Sequence, residues 1–87
     1  MIMEINDILI EEDVQEKILG HGLQREDVEN GLHFGNPKFS KDRFGRYLAI
    51  THYNRYVTVI FEYKDSNAHI ITAYPSADWQ VKKYKRK

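Results

Sequence analysis

The spacing of apolar residues changes at Gly35-Asn36-Pro37, and this change constrains the fold more than any other feature of the chain. Before it, apolar residues recur at helical spacing. After it, from Phe39 to Tyr74, the β-branched and aromatic residues typical of strands dominate. At 87 residues the chain has the size of one domain with one modest core. The pattern therefore predicts a single α+β domain over residues 1–87.

Two short helices are predicted in the first half. The apolar stripe of the first helix, over residues 11–19, consists of Ile10, Val14 and Ile18. Gly20-His21-Gly22 ends this helix, since a glycine readily takes the left-handed conformation found at helix C-termini. A second helix is predicted over residues 25–32, because it carries acids in its first turn and apolar residues at helical spacing.

The second half predicts an antiparallel meander with three long strands and one short edge strand. The predicted strands are 39–44, 46–53, 56–64 and 68–74, with an opening strand allowed within 5–10. A basic helix is expected over 77–85, docked by Trp79 and Tyr84. We therefore expect two N-terminal helices packed on a three- to four-stranded antiparallel sheet, followed by a basic C-terminal helix. The helices are expected to lie on one face of the sheet.

Several classes of protein are disfavoured by composition. There is no cysteine, and the four histidines never fall three or four residues apart, so no metal site and no cofactor are expected. Glycine-rich phosphate loops and nucleophile elbows are absent from the sequence. No apolar run reaches the roughly 18 residues of a membrane span, and the chain does not begin like a secretory signal. A cytoplasmic protein without a membrane partner is expected.

Charge is balanced in total but not along the chain. Residues 1–30 contain nine acids and two bases, a net charge of −7, and the remaining residues carry +7. The basic residues at the end of the chain are Lys82, Lys83, Lys85, Arg86 and Lys87. Such polarity attracts phosphate to one side of a small domain, so Lys82, Lys83, Lys85 and Arg86 are candidate RNA-binding residues. A solvated lysine-rich terminus explains the same pattern without any ligand.

Alternation along the strands separates core residues from candidate site residues. The core face of the middle strand is predicted to carry Val57, Val59, Phe61 and Tyr63. Thr72 and Tyr74 share one face of the last strand, and Arg46 and His52 share one face of the first long strand. The sequence leaves open which face of the first long strand joins Thr72.

A sheet face carrying Arg46, His52, Thr72 and Tyr74 would combine a phosphate-binding cation, a titratable imidazole and two hydroxyl groups. These groups suit RNA cleavage, which must deprotonate a 2′-hydroxyl, stabilise the phosphorane and protonate the leaving oxygen. Each residue also has a structural interpretation. His52 is typical of an exposed cross-strand partner, Thr72 of a strand former and Tyr74 of a rim aromatic.

Three segments together resemble the RelE superfamily, and their order and spacing resemble those of its BrnT-type toxins. They are Gly22 to Leu32, which is similar to the helix pair of those proteins, the strand opening Gly45-Arg46-Tyr47-Leu48-Ala49-Ile50, and the closing strand Ile70-Ile71-Thr72-Ala73-Tyr74-Pro75. By position, Arg46, His52 and Thr72 match a basic residue, a second basic residue and a hydroxyl of that pattern. Tyr74 and His69 stand where those toxins have arginines.

The resemblance implies a RelE-like fold and a metal-independent endoribonuclease toxin of a type II toxin–antitoxin pair. It also implies RNA or the ribosome as target and an antitoxin protein as partner, and it allows a homo-oligomer. The catalytic candidates are Arg46, His52, Thr72 and Tyr74. The alternative is a non-catalytic domain of the same fold, whose basic face binds an acidic protein or nucleic acid.

Overall fold

The computed structural model describes residues 3–86, within which three helices and five strands form one α+β domain. In chain order the elements are β1 (Ile8–Leu9), α1 (Glu12–Gly20), α2 (Arg25–Phe34), β2 (Lys38–Lys41), β3 (Tyr47–Tyr53), β4 (Arg55–Lys64), β5 (Asn67–Pro75) and α3 (Asp78–Lys85). The α+β class predicted from the sequence is confirmed, and the observed helices and long strands begin and end within two residues of the predicted bounds.

The sheet differs from the prediction in its number of strands and in its direction. It has five strands in the order β1-β5-β4-β3-β2, and β1 runs parallel to β5 through the pairs Ile8↔Ala68 and Leu9↔His69. The predicted sheet of three to four antiparallel strands is therefore corrected to a mixed one. The pairing of β1 with β5 joins residues 60 positions apart, so no turn in the sequence indicates it. The antiparallel long strands, in contrast, are joined by short hairpins, whose turn residues are visible in the sequence.

One face of the sheet is covered by α1 and α2, and we call it the helix-covered face. Its strand residues include Ala49, Val57, Val59, Phe61 and Ala73, and its helix residues include Ile18, Leu23, Val28 and Leu32, all of them buried. This is the core face predicted from alternation in β4. Gly31 lets α2 approach β3 closely, because a Cβ at Gly31 would lie 2.4 Å from Thr51 Oγ1.

The third helix lies on the opposite face, which we call the α3 face. Gln80 is 1% exposed and accepts a hydrogen bond of 3.0 Å from the hydroxyl of Thr58. The side chain of Thr58 points away from α1 and α2. The prediction that all helices share one face is therefore wrong. α3 docks through Gln80 and Tyr84, whereas Trp79, expected to dock it, is 61% exposed. Because α3 packs on the sheet through polar side chains, it has no apolar stripe that would predict its buried face from the sequence.

Candidate nucleic-acid interface

The register of the sheet places three of the four catalytic candidates, His52, Thr72 and Tyr74, on the α3 face. Thr72 pairs with Ile60 of β4, which pairs in turn with Leu48 of β3. Residues directly opposite each other project to the same side of a sheet, so Thr72 and Tyr74 share a face with His52, whereas Arg46 lies before the first paired residue of β3. This answers the question that the sequence left open.

The four side chains nevertheless lie apart. Arg46 and His52 are at opposite ends of β3, and six residues of strand span roughly 20 Å. Tyr74 Oη accepts a hydrogen bond of 3.0 Å from Gln80 Nε2, so α3 occupies the sheet beside it. Among the described residues, Thr72 Oγ1 is buried without a hydrogen-bond partner. One phosphodiester group cannot reach both Arg46 and His52, and the catalytic role of the four residues stays a prediction.

His52 belongs to a cluster of aromatic side chains where β3 turns into β4. Its ring stacks on Tyr56, its cross-strand partner, with centroids 4.1 Å apart and planes inclined by 13°. Tyr56 meets Tyr84 of α3 edge to face at 5.7 Å. The ammonium of Lys85 lies 5.6 Å from the centre of the Tyr56 ring, within cation–π range. A strand pair and a helix thus bring aromatic rings and a cation together.

Two more aromatic rings lie at the same end of the sheet but on its helix-covered side, because Tyr53 alternates with His52 along β3. Phe34, at the end of α2, and Tyr53, at the end of β3, are 66% and 40% exposed, with ring centroids 6.0 Å apart. We call the whole set the aromatic end, and it consists of Phe34, His52, Tyr53, Tyr56 and Tyr84. Three residues of the aromatic end are close in the sequence, within the run His52-Tyr53-Asn54-Arg55-Tyr56, whereas Phe34 is distant in the sequence and is brought there by the fold.

A groove with basic walls continues from the aromatic end along β2 and α3, and we call it the basic groove. Its volume is about 300 Å³, and its lining includes Lys38, Ser40, Ile50, Lys83, Tyr84 and Arg86. Lys38 Nζ donates hydrogen bonds to the backbone carbonyls of Tyr84 and Arg86 at the end of α3. Lys38 therefore holds the helix terminus, while Lys83 and Arg86 remain exposed.

Tyr84 ties the groove to the aromatic end. Its hydroxyl donates to the carbonyl oxygens of Gly35 and Asn36 at 2.9 and 3.1 Å. Burial, with a smaller contribution from the neighbouring Tyr56, raises the pKa of Tyr84. A phenol is protonated at neutral pH even at its ordinary pKa of about 10, and that of Tyr84 serves as a structural donor.

The four predicted RNA-binding residues are exposed on or just after α3. Lys83 and Arg86 line the basic groove, Lys85 lies over the Tyr56 ring, and Lys82 is exposed on the same helix. Lys87, the last residue of that basic cluster, lies outside the described residues. The exposed acids Glu12, Asp13 and Glu16 belong to α1, which packs on the other face of the sheet. The acidic first segment and the basic last segment of the sequence thus lie on opposite faces of the sheet.

The structure also brings together three groups that the sequence analysis did not combine. His21 Nδ1 lies 2.9 Å from the carbonyl oxygen of Ala73, and its ring meets Tyr74 edge to face at 6.5 Å. Arg55 Nη1 donates to the carbonyl of Gly22 at 3.2 Å, next to His21. A carbonyl only accepts, so Nδ1 carries the proton and Nε2 of the neutral imidazole is free to take one. No local sequence signal links these residues, which come from three separate turns and strands.

A larger cavity, of about 510 Å³, lies at the other end of the α3 face. It is lined by Leu9, Glu11, Glu62, Lys64, His69, Ile70 and Ile71. Ile71 is the extra residue of a β-bulge in β5, because Ile70 pairs with Phe61 and Thr72 pairs with Ile60. The carboxylates of Glu11 and Glu62 repel an anionic ligand from this cavity. The aromatic end and the basic groove are therefore the better phosphate-binding surface.

Within residues 3–86, no three histidine, aspartate or glutamate side chains are placed to hold a metal ion together. In the same part of the chain, no helix has both the length and the apolar composition needed to cross a bilayer. Comparison of the chain with protein-family models, with curated proteins and with solved structures finds no match.

Proposed function

We propose that this protein binds single-stranded RNA through the aromatic end and the basic groove. The proposal rests on two observations at this end of the sheet: the exposed ring pair of Phe34 and Tyr53, and the exposed ammonium of Lys85 over the ring of Tyr56. Proteins that bind single strands combine a positively charged groove with aromatic side chains on which bases stack. The resemblance to the RelE superfamily supports the same ligand.

The aromatic rings favour RNA over an acidic protein, the other ligand predicted for a basic face. Lysines alone would serve for carboxylates, whereas stacking on exposed rings selects planar bases. Phe34 at 66% exposure is a position where a large ring makes little contribution to the core. An antitoxin partner, also implied by the resemblance, stays a prediction.

The binding proposal is tested by fluorescence anisotropy with a labelled polyuridine of about 12 nucleotides, within the usual site sizes of single-strand binders. Stacking contributes about 1–3 kcal/mol per base, so the double variant Phe34→Ala/Tyr53→Ala is expected to bind at least about tenfold more weakly. The matched control is Leu19→Ala, which removes an exposed apolar side chain from the acidic α1. Equal affinity of the double variant and the control would refute the proposal.

A second candidate function is metal-independent RNA cleavage, favoured by the placement of His21, Tyr74 and Arg55. His21 Nε2 is available to accept the proton of a 2′-hydroxyl, whose oxygen then attacks phosphorus. The bond from phosphorus to the 5′-oxygen breaks, and that oxygen takes a proton from an acid, for which Tyr74 is the nearest candidate. Arg55 would stabilise the charge of the phosphorane.

This candidate is tested by incubating total RNA with the protein and EDTA. Cleavage that is lost in His21→Ala and Tyr74→Phe but retained in His52→Ala would support the cluster at His21. Loss in His52→Ala instead would favour the residues predicted from the sequence. Intact RNA at high protein excess would leave binding as the function.

A further inference from the structure

The loop between β2 and β3 presents an isolated aromatic ring with two cations. Phe44 is 68% exposed, the largest value among the exposed hydrophobic residues of the described chain. The guanidinium carbons of Arg43 and Arg46 lie 5.2 and 5.5 Å from the centre of its ring. A ring this exposed contributes little to the core and is accessible to a ligand, and the two guanidinium groups beside it are what distinguish it from a single exposed apolar residue.

The loop holds Phe44 in a defined position. Asp42 Oδ1 accepts hydrogen bonds from the backbone N–H of Phe44 at 2.8 Å and from that of Arg46 at 2.9 Å. Gly45 adopts φ +84°, which an L side chain rarely takes, so the turn depends on glycine. A pre-organised ring loses little conformational entropy on binding, which favours affinity.

The chemistry around the ring indicates an anionic ligand with planar groups. Asp42 is the one acid of the loop, and its carboxylate is engaged by two N–H groups and by Arg46 Nε at 3.3 Å. The exposed charge of the loop is therefore basic. Guanidinium groups bind phosphate in bidentate fashion and also stack on bases.

The basic groove lies between this loop and the aromatic end. It runs beside β2, where Lys38, Lys83 and Arg86 face it, and β2 pairs with β3 up to Lys41↔Tyr47 at the loop. The seven residues of β3 separate the two aromatic sites by roughly 20 Å. At about 3.4 Å per stacked nucleotide, this distance corresponds to about six nucleotides, and to fewer in an extended strand.

We propose that Phe44 stacks on an unpaired base of the same RNA strand that binds the aromatic end, with the connecting phosphates in the basic groove. This inference rests on the proposed function and specifies its ligand. The ligand is a single strand long enough to reach both sites, not a duplex, whose bases are already stacked on their neighbours.

The test compares labelled polyuridines of about three and about 12 nucleotides, binding to wild type, Phe44→Ala, Phe44→Tyr and the control Leu19→Ala. Phe44→Ala is expected to weaken binding of the longer strand by about fivefold or more and to leave the shorter strand unaffected. Phe44→Tyr keeps the ring and should bind like wild type. Because Phe44 is exposed, all variants are expected to fold, which melting temperatures check.

The outcomes separate this inference from the proposed function. If Phe44→Ala binds the longer strand like wild type while Phe34→Ala/Tyr53→Ala does not, the inference is overturned and RNA binding stands. If neither variant differs from Leu19→Ala, both fail. An equal loss of binding to duplex RNA would overturn base stacking. A Phe44-dependent affinity for vesicles containing phosphatidylglycerol, with RNA binding unchanged, would replace RNA at this loop by a membrane surface.

Discussion

The two faces of the sheet hold their helices by different interactions. On the helix-covered face, Ile18, Leu23 and Val28 are fully buried against apolar strand residues such as Phe61. On the α3 face, Gln80 makes hydrogen bonds with Thr58, Tyr74 and the backbone of Ala77. Tyr84 and Lys38 complete the docking of that helix through backbone carbonyls.

This difference explains how so small a domain combines stability with an accessible binding surface. Apolar burial contributes roughly 25 cal/mol per Å² of surface removed from water, so the helix-covered face carries most of the stability. Hydrogen bonds add only about 0.5–1.5 kcal/mol each, but they fix α3 without covering the rings and cations beside it.

Phe61→Ala should produce the largest loss of stability. Phe61 is fully buried, and truncation of a buried phenylalanine typically costs about 3–5 kcal/mol because it leaves a cavity. Its neighbour Ile60 points to the α3 face and is half-buried, so Ile60→Ala should lose clearly less. Urea denaturation measures both free energies of unfolding. Equal losses would contradict the division between the two faces.

Gly31→Ala should destabilise the helix-covered face by about 1–3 kcal/mol, the usual cost of overpacking a core. The added Cβ would meet Thr51 Oγ1 at 2.4 Å, and Thr51 is buried and β-branched, so it has little room to move. Thermal unfolding of Gly31→Ala, Thr51→Ala and the double variant should show that the second change relieves the first. Gly20→Ala, with nothing within 4 Å of the new Cβ, is the matched control.

Tyr84→Phe should loosen α3 with a smaller loss of about 0.5–1.5 kcal/mol, because the hydroxyl no longer donates to Gly35 and Asn36. The raised pKa of Tyr84 adds a test by pH. Its contribution to stability is fully present below the unfolded pKa of about 10 and is lost as pH rises through the higher folded value. Stability measured from neutral to alkaline pH should therefore fall more steeply in wild type than in Tyr84→Phe, and parallel curves would argue against this role.

Asp42 should give the smallest effect, confined to the β2–β3 loop. Desolvation is the largest single cause and raises its pKa, but the hydrogen bonds from the backbone of Arg46 and Phe44 and the charge of Arg46 together outweigh it, so the pKa of Asp42 is lowered from 3.8. Its contribution is present above that ordinary value and is lost as pH falls through the lower folded one. NMR should show the amide signals of Phe44 and Arg46 moving below about pH 4 in wild type. The same signals should not move in Asp42→Asn, and a movement there would rule out the carboxylate as the cause.

Much of the fold was predictable because its signals are local. The stripe of α1, the alternation around Phe61 and the turn at Gly35-Asn36-Pro37 each depend on neighbours within a few residues, and each was interpreted correctly. The pairing of β1 with β5 was not predicted, because it joins residues far apart in the sequence. The position of α3 was predicted wrongly, because it depends on polar contacts of Gln80.

The candidate site was less predictable than the fold. Strand periodicity predicts a shared face for Arg46 and His52, but residues on one face need not be close together. Arg46 lies just before β3, and about 20 Å of strand separates it from His52. Phe34 and Tyr53 meet only because α2 ends beside the last residue of β3. Likewise, His21 approaches Tyr74 because α1 ends at the edge of β5.

The α+β class, the core face of the strands and the separation of acidic from basic segments follow from the amino-acid sequence, since they depend on periodicity and composition. The positions of the rings and cations relative to one another follow from the folded chain, because side chains far apart in the sequence meet through the packing of helices on the sheet. Phe34 and Tyr53 are 19 positions apart in the sequence and adjacent in space. Stacking and phosphate binding depend on that proximity.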